Sequence, residues 1–246
     1  MIRAAVSTIA FVVATILGSL GALVLGAVDR SGDRVLWLAR LWSRVILGVP
    51  GVKLDIKMRV PLDPGRPYVF MPNHASMVDI WAVFVAIPAS FRFIAKKQLA
   101  RIPLFGWAMA AGRFIFIDRQ NAVAARRSME EAARRIRSGQ SVVIFPEGTR
   151  TRDGRLGAFK KGGFHLAIDS GADIVPVAIK GSREVMPRGS ALIRAGHVTV
   201  DVGEPISTAG LKSSDREALI AKVRARVAEM LGEPEAAPVA SVDHAK

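Results

Sequence analysis

From residue 53 to residue 202, short apolar runs of strand length alternate with stretches of helical spacing, and no other feature narrows the fold as far. The runs cover 53–58, 68–71, 91–95, 114–117, 141–145, 174–179 and 198–202. Between and after them, apolar residues at helical intervals predict helices over 77–86, 98–111, 121–137, 163–170 and 214–231. Such alternation implies an α/β fold, a mixed and largely parallel sheet flanked by helices. Pro176 interrupts the run 174–179, which argues that this strand lies at an edge or carries a bulge.

A different pattern precedes the alternation. Residues 4–28 contain no charged side chain, and a run of about 25 apolar residues is long enough to cross a bilayer core. Gly18, Gly21 and Gly26 permit either a break in a helix there or close packing against another. A secretory signal is the competing reading, with Arg3 as a minimal basic flank, but the apolar run exceeds the ~7–15 residues such signals use. Residues 35–47 set Arg40 and Arg44 one helical turn apart among Trp37, Leu38, Leu41 and Trp42, the composition of a helix lying among lipid headgroups. Pro50-Gly51 ends this part. The chain therefore divides into membrane-anchoring helices (1–50), a globular domain (51–231) and a disordered tail (232–246) rich in Pro, Ala and mixed charge.

In open α/β sheets, ligands bind beyond the carboxyl ends of the strands, so the residues that follow each run are the candidates for chemistry. After 68–71 comes Asn73-His74-Ala75-Ser76-Met77-Val78-Asp79. On a continuous helix His74 and Asp79 would diverge by about 140°. They meet only if the chain turns between them, and Ser76 is a good N-cap for the helix that follows. An acid against one imidazole nitrogen leaves the other free to take a proton. The same residues also fit a capping box, Ser76 with Asp79, beside an ordinary histidine. After 141–145 comes Pro146-Glu147-Gly148-Thr149-Arg150, then Arg152, Arg155, Lys160 and Lys161 among glycines, a composition suited to an anion. Asp118-Arg119 follows 114–117, and Lys96-Lys97 follows 91–95.

Composition removes several classes. No cysteine occurs, which excludes disulfides, thiolate metal sites and a cysteine nucleophile. His165, His197 and His244 have no ligand-like spacing to carboxylates, so no metal is expected. A net charge of +14 suits an anionic partner, while an aromatic content of 7% with one tyrosine argues against a base-stacking nucleic-acid surface.

Taken in order, Asn73-His74-x-Ser76-x-x-Asp79, Gly112-x-Phe114-x-x-Ile117-Asp118-Arg119, Phe145-Pro146-Glu147-Gly148-Thr149-Arg150 and Val175-Pro176-Val177 closely resemble the glycerolipid acyltransferase superfamily. Ala95-Lys96-x-x-Leu99 and Ile102-Pro103-x-x-Gly106-Trp107 look like its 1-acylglycerol-3-phosphate O-acyltransferase branch. The resemblance implies transfer of an acyl chain from acyl-CoA or acyl carrier protein to the sn-2 hydroxyl of 1-acylglycerol-3-phosphate, giving phosphatidic acid at the cytoplasmic face of an inner membrane. It implies no cofactor. It assigns His74 as general base and Asp79 as its orienting acid. Glu147, Gly148, Thr149 and Arg150 would hold the substrate phosphate with Arg119 and Lys96, and Pro176 and Val177 would border the acyl chain. Another lysolipid acceptor, such as lyso-ornithine lipid, would use the same apparatus. A non-catalytic binder of anionic lipid would leave the His74–Asp79 pair unexplained.

Overall fold

Each apolar run becomes a strand. The computed structural model describes residues 2–118 and 120–233, with side chains from Val6 onward; Arg119 and residues 234–246 of the predicted tail (232–246) lie outside the described residues. In chain order the elements are α1 (Ile2–Val28), α2 (Asp33–Gly48), β1 (Val52–Met58), β2 (Tyr68–Pro72), α3 (Val78–Ala86), β3 (Phe91–Lys96), α4 (Phe105–Ala111), β4 (Ile115–Ile117), α5 (Ala122–Arg137), β5 (Ser141–Val143), α6 (Gly162–Ser170), β6 (Asp173–Lys180), α7 (Ser182–Val185), β7 (Gly196–Val202) and α8 (Arg216–Leu231). Gly232, in the left-handed region at φ 72°, ends α8.

The sheet runs β1-β7-β6-β2-β5-β3-β4, and only the β6–β7 pair is antiparallel. Side chains alternate between its faces with the period of a strand. Phe70, Val143, Val175 and Val177 face a core shared with α2, α3 and α7, while Val69, Met71, Val142 and Ile174 face the core under α5, α6 and α8.

The proline in β6 resolves in favour of a bulge. β6 is an interior strand between β7 and β2. Its antiparallel register pairs Val177 with Val202, yet the next bridge joins Ile174 to Ile206, so three steps on β6 oppose four on the returning chain. Pro176 sits within that offset, where its carbonyl accepts from Gly203 N–H at 2.8 Å and the ring supplies no N–H to the ladder.

The helix expected over 98–111 is divided. A 3-10 turn covers Lys97–Arg101, and α4 begins only at Phe105. Pro103 disfavours helix in the residue before it, and Leu104 takes φ 59°, ψ −58°, so that Phe105 N–H returns to the Pro103 carbonyl at 2.7 Å.

At the N-terminus, α1 is unbroken through all three glycines. They serve close packing instead. A Cβ on Gly21 would stand 3.1 Å from Leu38, and one on Gly26 would stand 2.6 Å from the Ala111 Cβ of α4. Phe11 meets Trp81 edge-on at 5.9 Å, so α1 lies along the domain from Phe11 to Gly26. Its outer side bares Ile9, Leu17, Val24 and Val28, each at least 63% exposed, and Trp37 and Leu41 of α2 are exposed too. Arg40 does not join them. Its guanidinium turns inward and donates to the Ile87 and Ala89 carbonyls at the end of α3, while Arg44, one turn on, is exposed. Arg92, fully buried, donates to the Ser31 carbonyl and to Asp33, tying the α1–α2 turn to β3.

Because Gly26 has no room for a side chain, Gly26→Leu should cost about 1–3 kcal/mol by overpacking, read as a lowered Tm in detergent. Gly48→Ala, at a glycine with nothing within 4 Å, should leave Tm within error of wild type.

Candidate functional site

β2 ends at a proline, and the chain needs a way off the sheet. Asn73 supplies it. Its side chain accepts from Ile179 N–H at 2.7 Å and donates to the Ile179 carbonyl at 3.1 Å, replacing the rung that the backbone abandons. The freed backbone turns, and His74 stands at the carboxyl end of the sheet with its side chain 13% exposed.

Asp79, fully buried, closes the turn. One of its oxygens, Oδ2, accepts from Ala75 N–H and Ser76 N–H at 2.7 Å each and meets His74 Nδ1 at 2.9 Å. The capping contact to Ser76 and the acid–imidazole contact are thus made by one atom. An Nδ1–H directed at the acid leaves Nε2 as the proton acceptor. Ser76 acts slightly earlier than an N-cap: its hydroxyl accepts from Val78 N–H at 3.2 Å and donates to the Met186 carbonyl at 2.7 Å. The face of the imidazole stacks on Phe145, centroids 4.0 Å apart and planes 19° apart.

The loop after β5 approaches from the neighbouring strand. Thr151 N–H donates to the His74 carbonyl at 2.9 Å, so the segment carrying Arg150 abuts the base. Gly148 adopts φ 74°, and Lys160 folds over it, 3.0 Å from where a Cβ would lie. Thr149 is exposed and Arg150 partly so, while Lys96 is exposed at the end of β3, in register with Ile117. Asp118 meets Lys97 at 3.4 Å, and Arg119 falls outside the described residues.

Three expected residues are placed otherwise. The resemblance implies Glu147 as a phosphate ligand, but its carboxylate turns inward and the residue is 5% exposed. One oxygen accepts from His74 N–H at 2.6 Å and the other from Gly157 N–H at 3.0 Å. Burial pushes its carboxyl up to about 7, against the pull of those two N–H groups; the nearby Asp79 and Glu233 add to the rise. Glu147 therefore joins the histidine loop to the basic loop and presents no donor to an anion. Val177 is wholly buried in the core under α3, and a Cβ on Gly203 would strike the ring of Pro176, so both pack within the domain.

Sequence reasoning passed over the segment after β6. Arg183 donates to the Arg152 carbonyl at 2.9 Å and to the Asp153 carbonyl, and Arg188 donates to the Arg150 carbonyl at 2.8 Å. With Ser76 anchored on Met186, this segment braces both the histidine turn and the basic loop. The available signal was two arginines following a strand's carboxyl end, the same signal that singled out Arg150. Among the described residues, no cluster of His, Asp and Glu is arranged to hold a metal ion.

The family model described as Acyltransferase matches residues 53–180, just over half of the chain. A chloroplastic 1-acyl-sn-glycerol-3-phosphate acyltransferase of Arabidopsis thaliana is 32% identical over 197 residues, which cover 79% of this chain and 53% of that protein. The human 1-acyl-sn-glycerol-3-phosphate acyltransferase beta is 34% identical over 171 residues, 69% of this chain and 62% of its own. The chain thus spans little more than half the length of these curated relatives. Among solved structures, the 1-acyl-sn-glycerophosphate acyltransferase PlsC of Thermotoga maritima superposes with a TM-score of 0.76 at 26% identity, over 93% of this chain and 96% of that one.

Two outcomes test the placement of Glu147 and the brace. Glu147→Gln puts an amide NH2 against a backbone N–H, which should cost about 1–3 kcal/mol. The raised carboxyl contributes stability below its ordinary value of 4.5 and loses it as pH rises through about 7. The stability gap between wild type and Glu147→Gln should therefore narrow from about pH 5 to about pH 8, measured by denaturant unfolding. Arg188→Ala should raise the KM for an anionic acceptor more than it lowers kcat, with Arg188→Lys intermediate.

Proposed function

This chain belongs to the acyltransferase family, and on that premise we propose that it transfers an acyl chain from an acyl thioester to the sn-2 hydroxyl of 1-acylglycerol-3-phosphate, giving phosphatidic acid. The observation that carries the reading is the bond between His74 Nδ1 and Asp79 Oδ2 at 2.9 Å, made beside a loop that bears Arg150.

His74 Nε2 takes the proton of the acceptor hydroxyl as the oxygen attacks the thioester carbonyl. Asp79 holds the ring and offsets the charge of the imidazolium that forms. The new C–O bond replaces the C–S bond, and the departing thiolate takes the proton back from His74. A thioester is already an activated electrophile, so no covalent enzyme intermediate enters this scheme. Arg150 and Lys96, with Arg119, supply the cations for the acceptor's phosphate, a match for the forked geometry of a guanidinium. Glu147 serves by positioning the His74 backbone.

The donor is acyl-CoA or acyl carrier protein, and this reading includes no cofactor. The exposed apolar side of α1, whose segment Val6–Val28 is long and apolar enough to cross a membrane, supports attachment to a bilayer through residues 1–50. Residues 51–231 then form the catalytic unit, facing the cytoplasm at an inner membrane. Packing of α1 along the domain favours a helix that lies in one leaflet, beside the lipid acceptor.

The test is turnover of acyl-CoA and acyl carrier protein donors by the detergent-solubilised protein with lysophosphatidic acid. Phosphatidic acid should form, and His74→Ala should lower the rate by ~10²–10⁴. Turnover with lyso-ornithine lipid alone would move the acceptor and keep the mechanism. Thioester untouched with either acceptor would overturn the reading.

A further inference from the structure

The imidazole of His74 is the end member of a column of rings. Below it lies Phe145 at 4.0 Å with planes 19° apart, then Phe93 at 5.9 Å and 13°, then Phe114 at 6.3 Å and 11°. The column crosses from the end of β5 through β3 to the residue that precedes β4. It is held from the side by edge-on rings: Phe84 against Phe93 at 5.0 Å and against Phe114 at 6.0 Å, and Phe91 against Phe93 at 5.4 Å. Phe93 and Phe114 are buried, so Phe145 is backed by buried rings on one face and meets His74 with the other.

The geometry defines two directions at the base. In the ring plane, Asp79 holds Nδ1. Perpendicular to it, the only aromatic face stacked on the imidazole among the described residues is that of Phe145. An aromatic face carries negative charge density and attracts a cation set over it, more strongly where water is kept away. A general base gains positive charge as it takes the acceptor's proton, so attraction of His74 to the ring grows as the transition state forms. Interactions that grow in that way raise kcat and leave ground-state binding unchanged.

We propose that Phe145 is a positioning residue that acts through His74, its ring face stabilising the imidazolium formed during acyl transfer. The inference rests on the reading of His74 as general base. No atom is exchanged with Phe145: the proton passes from the acceptor hydroxyl to Nε2 and on to the thiolate, while the ring supplies electrostatic stabilisation alone.

A fluorine series at position 145 separates this role from packing. Replacing Phe145 with phenylalanine bearing one, two and three ring fluorines drains the face of negative charge with little change in shape. The full chain in detergent is assayed with an acyl thioester and lysophosphatidic acid, and Tm is followed alongside. The expected result is a stepwise fall in kcat, reaching roughly 3- to 30-fold at three fluorines, with an unchanged KM for the acceptor and a constant Tm. Phe145→Trp should keep kcat near wild type, and Phe145→Leu should lower it by about as much as full fluorination. Equal kcat across the fluorine series, in a protein that turns over, would overturn the role of Phe145 and leave the acyltransferase reading intact. Absence of turnover by the unmodified protein would overturn that reading and this inference with it.

Discussion

A single carboxylate oxygen organises the site. Asp79 Oδ2 accepts two backbone N–H groups and holds the imidazole, so the shape of the turn and the orientation of the base are one constraint. Buried N–H groups must find acceptors. If Asp79 were displaced, Ala75 and Ser76 would lose theirs at the same moment that His74 lost its guide. The five-residue spacing is therefore a matter of reach: it is the distance over which a chain leaving a strand can turn and present its backbone to the first turn of the next helix.

Around that turn, the site is assembled from segments distant in the chain. Asn73 borrows Ile179 to leave the sheet, Glu147 joins His74 to Gly157, and the segment after β6 holds Ser76 through Met186 and Arg150 through Arg188. Most of these contacts end on backbone groups. Two of the basic side chains, Arg183 and Arg188, donate to backbone carbonyls, which fixes the loop that carries Arg150. Of the two carboxylates that lie deep in the site, Asp79 holds the imidazole, while Glu147 is raised by burial and spent on two N–H donors.

The N-terminal helices show the same economy in apolar form. Gly26 meets Ala111 and Phe11 meets Trp81 on the inward side, while other large apolar residues, among them Ile9, Leu17, Val24 and Trp37, face outward, where a soluble protein would place polar groups. Outward apolar surface of this kind suits an apolar neighbour. Arg40 marks the boundary by turning inward to the carbonyls that end α3.

Much of this was legible in residue order. Strands and most helices follow from side-chain period, and so does the largely parallel sheet, because period and element order are local properties of the chain. The pairing of His74 with Asp79 was legible too, since five residues leave few ways for both to sit at one strand end. The helix over 98–111 failed because apolar spacing outweighed Pro103. Folding in three dimensions decided the rest. Whether Glu147 faced a ligand or the interior depended on which N–H groups came within its reach, and those belong to residues 74 and 157. Whether Pro176 marked an edge or a bulge depended on the strand beside it, and the brace from Arg183 and Arg188 depended on where the chain after β6 returned. Periodicity states which face of an element is apolar; only the packed structure states which partner that face, or a carboxylate beside it, will find.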